Sequence, residues 1–416
     1  MKILLINNFH YRKGGSEAVY FNTAELLQKY GHEVIFFSYK REENVPCKQM
    51  DYFVGQGGKV QQILSYFYNI KAAQNLERLV ENEQPDIAHV HLFWGGISPS
   101  IFRVLQKHHI PLVHTAHDYR MVCPAYTFKD GTGKTCESCK QWNYYECIKK
   151  RCSKGSLLLS TMMAMEMYTR QLFHSPIKNI SGFIFVSHFS EQKHIKHHLS
   201  FRETKHIVLY NYTNPLLSPD INKKGDYLLF FGRLSFEKGI PTLLKVFARH
   251  PEWNLKVVGT GPLENQLKSE YTKKENANVS TQQENCYENI EFLGYRFGNT
   301  LSELVRNAKY VCVPSECYEN NPMTIVESYS LGTPVIGANI GGIPEIIEEE
   351  ETGFLFKSGD TDDLEKVVIK AINVSTENYK EMCENSYHFY EKHFSAESHY
   401  EQLIKFYESI INNYNI

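Results

Sequence analysis

The sequence predicts an α/β chain of two doubly wound domains, and three observations point to it. Short apolar runs without polar alternation recur through both halves, as in strands covered on both faces of a parallel sheet. Amphipathic helical stretches separate these runs. Between the two series, residues 211–226 (NYTNPLLSPDINKKGD) crowd Pro, Asn, Asp, Lys and Gly together, which marks a linker. The 416 residues are 42% hydrophobic, enough for a core in each half, and this excludes a disordered, collagen-like or disulfide-stapled chain.

In chain order, KILLINNF is a first strand, since no small-residue cleavage site follows it. Residues 16–30 read as a helix with Ser16 as N-cap and Gly31 as its stop. The runs EVIFFSY, DIAHVHLF, PLVHTAH, GFIFVSHF and HIVLYNY supply further strands. Residues 61–83 and 97–109 read as helices between them. After the linker, DYLLFFGRLS, LKVVGTGP, IEFLGY, KYVCVPS, TPVIGAN and TGFLF form a second strand series. Helices at 240–250, 300–308, 323–332 and 362–374 alternate with it, and 395–414 reads as one long helix. Residues 271–289 are polar and read as a surface loop. Two such domains leave a cleft at the carboxyl ends of their strands, where ligands bind in this architecture. No apolar run approaches the roughly 18–20 residues that span a bilayer, so a cytoplasmic chain is expected.

The net charge of −2 conceals an asymmetry. Residues 1–212 hold 26 Lys/Arg against 17 Asp/Glu, and the remainder holds 19 against 30. A basic first half suits an anionic partner, either a phosphorylated substrate or a membrane surface. The alternative is two halves that differ only in surface charge.

Four segments carry candidate chemistry. GGSE, Gly14–Glu17, opens a helix directly after the first strand, where bare backbone and helix amides attract anions. The full G-x-G-x-x-G fingerprint is absent, so an ordinary strand–helix turn remains the alternative. In FFGRLSFEKG a strand ends at Gly232, and Arg233 and Lys238 flank the turn into a helix. The helix dipole disfavours cations there by roughly 0.3–1 kcal/mol, which makes sense if a diphosphate sits between them. Residues 314–347 place Glu319 in a loop and Glu327 eight positions on, along the next helix. Pro322 suits that helix's first turn, and the backbone amides around it, from Asn321 through Met323 to Thr324, form its anion-facing start. Carboxylates are acceptors suited to paired sugar hydroxyls. In VHTAHDY, His117 falls at the carboxyl end of a strand, with Asp118 either orienting it or beginning the turn.

Two further segments stand apart. Cys136 and Cys139 form C-x2-C, Cys147 and Cys152 form C-x4-C, and Cys123 lies upstream. This spacing fits a tetrahedral structural zinc, the alternative being free thiols in a flexible lid. Residues 156–176 are Met-rich and follow the basic run KKRCSK, which fits either a lipid or acceptor groove or a core helix.

Taken together, GGSE, FFGRLSFEKG, VVGTGP and Glu319…Glu327 resemble the nucleotide-sugar glycosyltransferases of group 1, or family 4, along nearly the whole chain. The resemblance implies the GT-B fold: two Rossmann-like domains facing across a cleft, with the C-terminal helix crossing back to the first. It implies an acceptor domain at 1–212 with the Cys-rich insertion 123–152 and the crossing helix 391–416, and a donor domain at 213–390. It implies a retaining transfer from a nucleotide-diphosphate sugar, UDP-sugar before GDP-sugar, to a glycan hydroxyl. Gly14, Gly15 and Gly232 would then lie by the diphosphate, which Arg233 and Lys238 would neutralise. Glu319 would hold sugar hydroxyls, Glu327 the ribose, and His117 the sugar near the reacting carbon. No metal is implied for the chemistry. The insertion resembles that of a subgroup from bacterial surface-polysaccharide pathways, which implies a lipid-linked acceptor and peripheral contact with the inner membrane face. No nucleic-acid partner is implied. Two rival readings are a GT-B nucleotide-sugar epimerase, which would convert donor without acceptor, and a non-catalytic zinc-bearing scaffold, which would bind donor without turnover.

Overall fold

The computed structural model describes residues 1–271 and 287–414 and divides into two compact units. Unit 1 is Met1–Tyr210 with His399–Ile416, and unit 2 is Asn211–Ser398.

Unit 1 is built on six parallel strands: β1 (Lys2–Ile6), β2 (Glu33–Phe37), β3 (Ile87–Val90), β4 (Leu112–Ala116), β5 (Gly182–Phe185) and β6 (His206–Val208). Their order is β2-β1-β3-β4-β5-β6. Ile3, Leu4, Leu5 and Ile6 are all fully buried, which explains why β1 is apolar on both faces. The helix Ala396–Tyr414 packs Leu403, Phe406, Tyr407 and Ile410 into the same core as Ile3, Leu5, Val113 and Ile184. That spacing is one helical stripe. Burying each such side chain is worth about 1.5–3 kcal/mol, so the stripe holds the chain end in unit 1. Tyr407 also hydrogen-bonds His89 Nδ1 on β3 at 2.6 Å.

Unit 2 repeats the plan with β7 (Leu228–Phe231), β8 (Leu255–Val258), β9 (Ile290–Gly294), β10 (Tyr310–Val313), β11 (Val335–Ala338) and β12 (Gly353–Phe356). The order is β12-β11-β10-β7-β8-β9, all parallel. Leu243, Leu244 and Phe247 from one helix and Leu364, Val368 and Ala371 from another share its core. Both sheets are therefore doubly wound and Rossmann-like, as expected.

Four local expectations need correction or completion. The first helix is Gly15–Lys29 and its cap is Gly14; Ser16 lies inside it and hydrogen-bonds Glu17 Oε1 at 3.1 Å. Gly31, at φ +80°, does end it. Residues 61–83 are not one helix but belong to two, Lys59–Phe67 and Ile70–Glu83. Asn69 separates them because its Oδ1 accepts from Ala72 N while its Nδ2 donates to Gly96 O. The helices His188–His197, Glu264–Tyr271 and Thr376–His393, and the short Tyr145–Lys149 and Pro176–Asn179, fall outside the stretches read as helical. Of the polar stretch 271–289, residues 272–286 lie outside the described residues. Among the described residues no helix is long and apolar enough to cross a membrane.

Candidate active site

In unit 2 the strand order reverses between β7 and β10, which are hydrogen-bonded neighbours. Ligands of open α/β sheets bind at the carboxyl ends of the strands at such a reversal. Here those ends carry two of the motifs singled out above, residues 232–239 and 314–322. Gly239 lets the two loops close: at φ +67°, a Cβ there would stand 1.7 Å from the carbonyl oxygen of Pro314. The backbone link Glu316 N–H to Glu237 O, at 2.9 Å, fixes the approach.

The result is an ion pair between residues 81 positions apart. Lys238 Nζ lies 2.5 Å from Glu319 Oε1, and the Ser315 hydroxyl donates to the same oxygen at 2.8 Å. Gly341 closes the far side, since a Cβ there would meet Glu319 O at 2.4 Å. Burial pushes the Glu319 carboxyl up, but Lys238 and the hydroxyl more than offset it and hold the carboxyl below its usual range. Burial likewise depresses Lys238, and the Glu319 carboxylate outweighs it. Neighbouring Gly232 is at φ +151°, and Arg233 is exposed without an ion pair or hydrogen bond among the described residues.

Farther along the same loop, Asn321 Oδ1 accepts from Asn211 N at 2.8 Å and Asn321 O accepts from Asn211 Nδ2 at 2.9 Å. Its own Nδ2 is buried and unpartnered among the described residues. Pro322 is the N-cap of helix Met323–Tyr329, at φ −68° and ψ 122°, rather than a first-turn residue, and Met323 and Thr324 begin the helix. On that helix Glu327 is half-buried, and its carboxyl has no hydrogen-bond partner among the described residues. Burial pushes its carboxyl up to about 7.

In unit 1 the reversal falls between β1 and β3. Gly14 and Gly15 stand exposed at the helix start after β1. Glu17 beneath them is buried, and burial raises its carboxyl despite the hydrogen bond from Ser16. His117, just beyond β4, hydrogen-bonds His91, just beyond β3: Nε2 lies 2.8 Å from Nδ1, with the rings stacked at 5.0 Å. Burial lowers His117 to about 4 and His91 further, so both are neutral at neutral pH. Asp118 does not orient His117, because both its oxygens go to Arg120. Sequence reasoning missed His91, although the HVH pattern at the end of β3 carried the signal.

The four cysteines of the two C-x-C patterns do converge. Cys123, Cys136, Cys139, Cys147 and Cys152 line one enclosed pocket of about 10 Å³. The Met-rich segment forms the helix Leu157–Phe173, and its polarity is inverted. Glu166, Arg170 and Gln171 are buried, while Leu158, Leu172 and Phe173 are 79%, 65% and 73% exposed. It is not a core helix of the usual kind.

Residues 13–215 match the family Glycosyltransferase Family 4, and residues 218–389 match Glycosyl transferases group 1. The chain belongs to the group 1 glycosyltransferases. An uncharacterized 42.6 kDa protein in the cps region of Klebsiella pneumoniae is 23% identical over 83% of this chain and 87% of its own. An uncharacterized glycosyltransferase of Methanocaldococcus jannaschii is 30% identical over 58% of this chain and 63% of its own. Among solved structures, sucrose-phosphate synthase from Thermosynechococcus elongatus matches at TM-score 0.70 and 17% identity, with 99% of each chain covered. Anabaena HepE in complex with UDP-glucose matches at TM-score 0.64 and 16% identity, covering 98% of this chain and 100% of that one. At such identities the likeness establishes the GT-B fold.

In this glycosyltransferase the Lys238–Glu319 pair should be coupled in stability. Lys238→Met leaves a largely buried carboxylate unpaired and should cost about 1–3 kcal/mol, after discounting for the lysine's partial exposure. Adding Glu319→Gln should restore most of it. Denaturant unfolding of the two singles and the double checks this, and additive losses would show that the pair is not coupled.

Proposed function

We propose that this protein is a retaining glycosyltransferase that moves a sugar from a nucleotide-diphosphate sugar, a UDP-sugar first, to a hydroxyl of a lipid-linked glycan in bacterial surface-polysaccharide assembly. The observation that carries this is the set of charges at the β7/β10 reversal: exposed Arg233, the Lys238–Glu319 pair and the unpartnered Glu327 carboxyl. Arg233 and Lys238 meet the diphosphate, the first as a bidentate donor and the second as a point charge. Glu319, fixed by Lys238 and Ser315, accepts from hydroxyls of the sugar. Glu327 accepts from the ribose, and Asn321 Nδ2 and the backbone to Thr324 offer donors beside it. The first unit serves the acceptor, and its open backbone at Gly14 and Gly15 suits the diphosphate and the transferred sugar. His117, being neutral, acts there as a hydrogen-bond partner and not as an acid.

In the reaction, the bond from the anomeric carbon to the diphosphate oxygen breaks while the acceptor oxygen bonds that carbon on the same face. The acceptor proton passes to the leaving diphosphate. Arg233 and Lys238 accelerate this step because they face charge that grows in the transition state. The cps-region relative from Klebsiella and an O-antigen biosynthesis glycosyltransferase from Escherichia coli, 27% identical over 48% of this chain and 52% of its own, support the polysaccharide setting. HepE, solved with UDP-glucose, supports the donor class.

The inverted helix supports the lipid-linked acceptor. The helix Lys59–Phe67 packs on it and adds exposed Val60, Ile63 and Leu64, while Lys149, Lys150, Arg151 and Lys154 precede it. Apolar side chains beside basic ones suit an anionic lipid surface.

Arg233→Ala and Lys238→Ala should each lose at least about 100-fold in turnover with the circular dichroism spectrum unchanged; near-normal turnover would remove the diphosphate assignment. Glu327 is protonated below its raised value and accepts charge-assisted hydrogen bonds above it. Affinity for a nucleotide-diphosphate sugar should therefore rise between about pH 6 and pH 8 and be flat in Glu327→Gln. A slope that survives this substitution would place the titrating group elsewhere. Leu172→Ser with Phe173→Ser should release the protein from anionic phospholipid vesicles in a flotation assay while leaving transfer to a soluble acceptor intact. Undiminished flotation would reassign that face.

A further inference from the structure

The insertion 123–152 has little to hold it together. Its one helix is Tyr145–Lys149, and its apolar core is small: Cys139, Tyr144 and Cys147 with Ala164 and Met167 of the following helix, flanked by Trp142, Ile148, Cys152 and Tyr168. Yet its backbone is forced. Of the ten non-glycine residues with positive φ among the described residues, six lie at or just beyond it: Tyr126, Phe128, Gln141, Trp142, Arg151 and Lys154. Bulky side chains occupy that region of φ only when their surroundings over-determine it. Phe128 is held by burial between the Tyr119 and His197 rings, but Tyr126, Gln141, Arg151 and Lys154 are exposed, so apolar burial does not supply their constraint.

The five sulfurs are placed to do so. Cys123, Cys139 and Cys147 are buried and Cys136 and Cys152 are half-buried, all around the same small pocket. None is in a disulfide. The surroundings also suit anionic sulfur: Lys150 Nζ lies 3.4 Å from Cys136 Sγ, and Lys129 lines the pocket. A zinc tetrathiolate carries two net negative charges, which these cations would balance. Zinc binds thiolates, so binding must expel the ligand thiols' protons.

We propose that this pocket binds one zinc ion through four of its five thiolates, Cys123 among them. Each ligand thiol loses its proton to solvent on binding and no redox change is involved. Cys123 is what the sequence spacing left out, since the C-x2-C and C-x4-C patterns alone make a complete set of four. With Cys123 as a ligand, the metal does more than staple the insertion to itself. It anchors the insertion to the segment that follows β4, six residues beyond His117. Cys123 N–H donates to Tyr119 O at 2.8 Å, which continues the tie toward the histidine.

One other cluster can be set aside. Among the described residues, the group of three ligating side chains with donor atoms all within 4.8 Å of one another is Glu77, Glu81 and His108. Lys107 and His108 already engage Glu77, which leaves a solvated charge cluster. The five sulfurs stand wider than this. Zn–S bonds of about 2.3 Å would draw four of them inward, closing a pocket that is already only about 10 Å³.

The test uses the full chain, produced with zinc supplied and purified under reductant. Elemental analysis should give about one zinc per chain, and cobalt exchanged into the site should show the visible absorption of a tetrahedral thiolate complex. Cys123→Ala and Cys139→Ala should each retain less than about a tenth of the zinc, while Cys47→Ala keeps it all. Should those variants not fold, the wild-type chain suffices: an organomercurial titrated against its thiols should release the zinc to a colorimetric chelator. Zinc removal should also open residues 117–152 to limited proteolysis. A metal-free reduced protein, iron with visible charge-transfer bands, or zinc retained in Cys123→Ala would each overturn the proposal.

Discussion

The pairing of β7 with β10 is the constraint on which the proposed donor chemistry rests. Every other neighbour in that sheet is either consecutive in sequence or reached by extending one edge. Only at this pair does the chain reverse direction across the sheet, so two loops that belong to different halves of the unit must share one space. The loops meet only because Gly239 presents no Cβ to Pro314. Lys238 and Glu319 then face each other at 2.5 Å. A carboxylate pre-oriented by a lysine and a hydroxyl keeps its acceptor lone pairs aimed in fixed directions, which is what reading sugar hydroxyls requires.

The strands were legible because parallel sheets leave an unmistakable pattern. Runs such as KILLI and LLFF are apolar at every position, and the structure buries them on both sides. The candidate residues Arg233 and Lys238 stand out for a related reason: they follow the end of β7 within seven residues. What the sequence could not express was pairing across distance. Nothing in FFGRLSFEKG indicates that Lys238 is committed to Glu319, and nothing in HVH indicates that His91 reaches His117. Both contacts depend on strand order, which is a property of the whole sheet. The missed break at Asn69 is of the same kind, because the residue that caps the second helix is held in place by Gly96, 27 positions away.

The histidines of unit 1 show how burial decides chemistry. His89, His91 and His117 line the carboxyl ends of β3 and β4, and all three are driven to the neutral form. His89 spends both nitrogens on Tyr407 and Thr115, at 2.6 and 2.7 Å, so it is structural. Between neutral His91 and neutral His117 one ring must donate and the other accept. That fixes the tautomer of each with respect to the other. The chain end takes part in this, since Tyr407 belongs to the terminal helix whose stripe completes the core.

The inverted helix links this site to the rest of unit 1. Burying Glu166 and Arg170 as an ion pair at 3.0 Å is poor stabilisation, because desolvation offsets most of the attraction. Two leucines at those positions would bury more easily. The pair is better understood through what Arg170 does with its remaining donors. Its Nη2 donates to Arg120 O at 2.8 Å, and its guanidinium lies 5.5 Å from the Trp94 ring. Arg120 lies three residues beyond His117 and three before Cys123, so the buried arginine grips the middle of the segment those two residues bracket. Placing the polar residues inward leaves Leu158, Leu172 and Phe173 outward, and a helix cannot satisfy both faces with the same side chains. The apolar exterior is thus the geometric counterpart of the internal clamp, and the lipid contact proposed above would cover it.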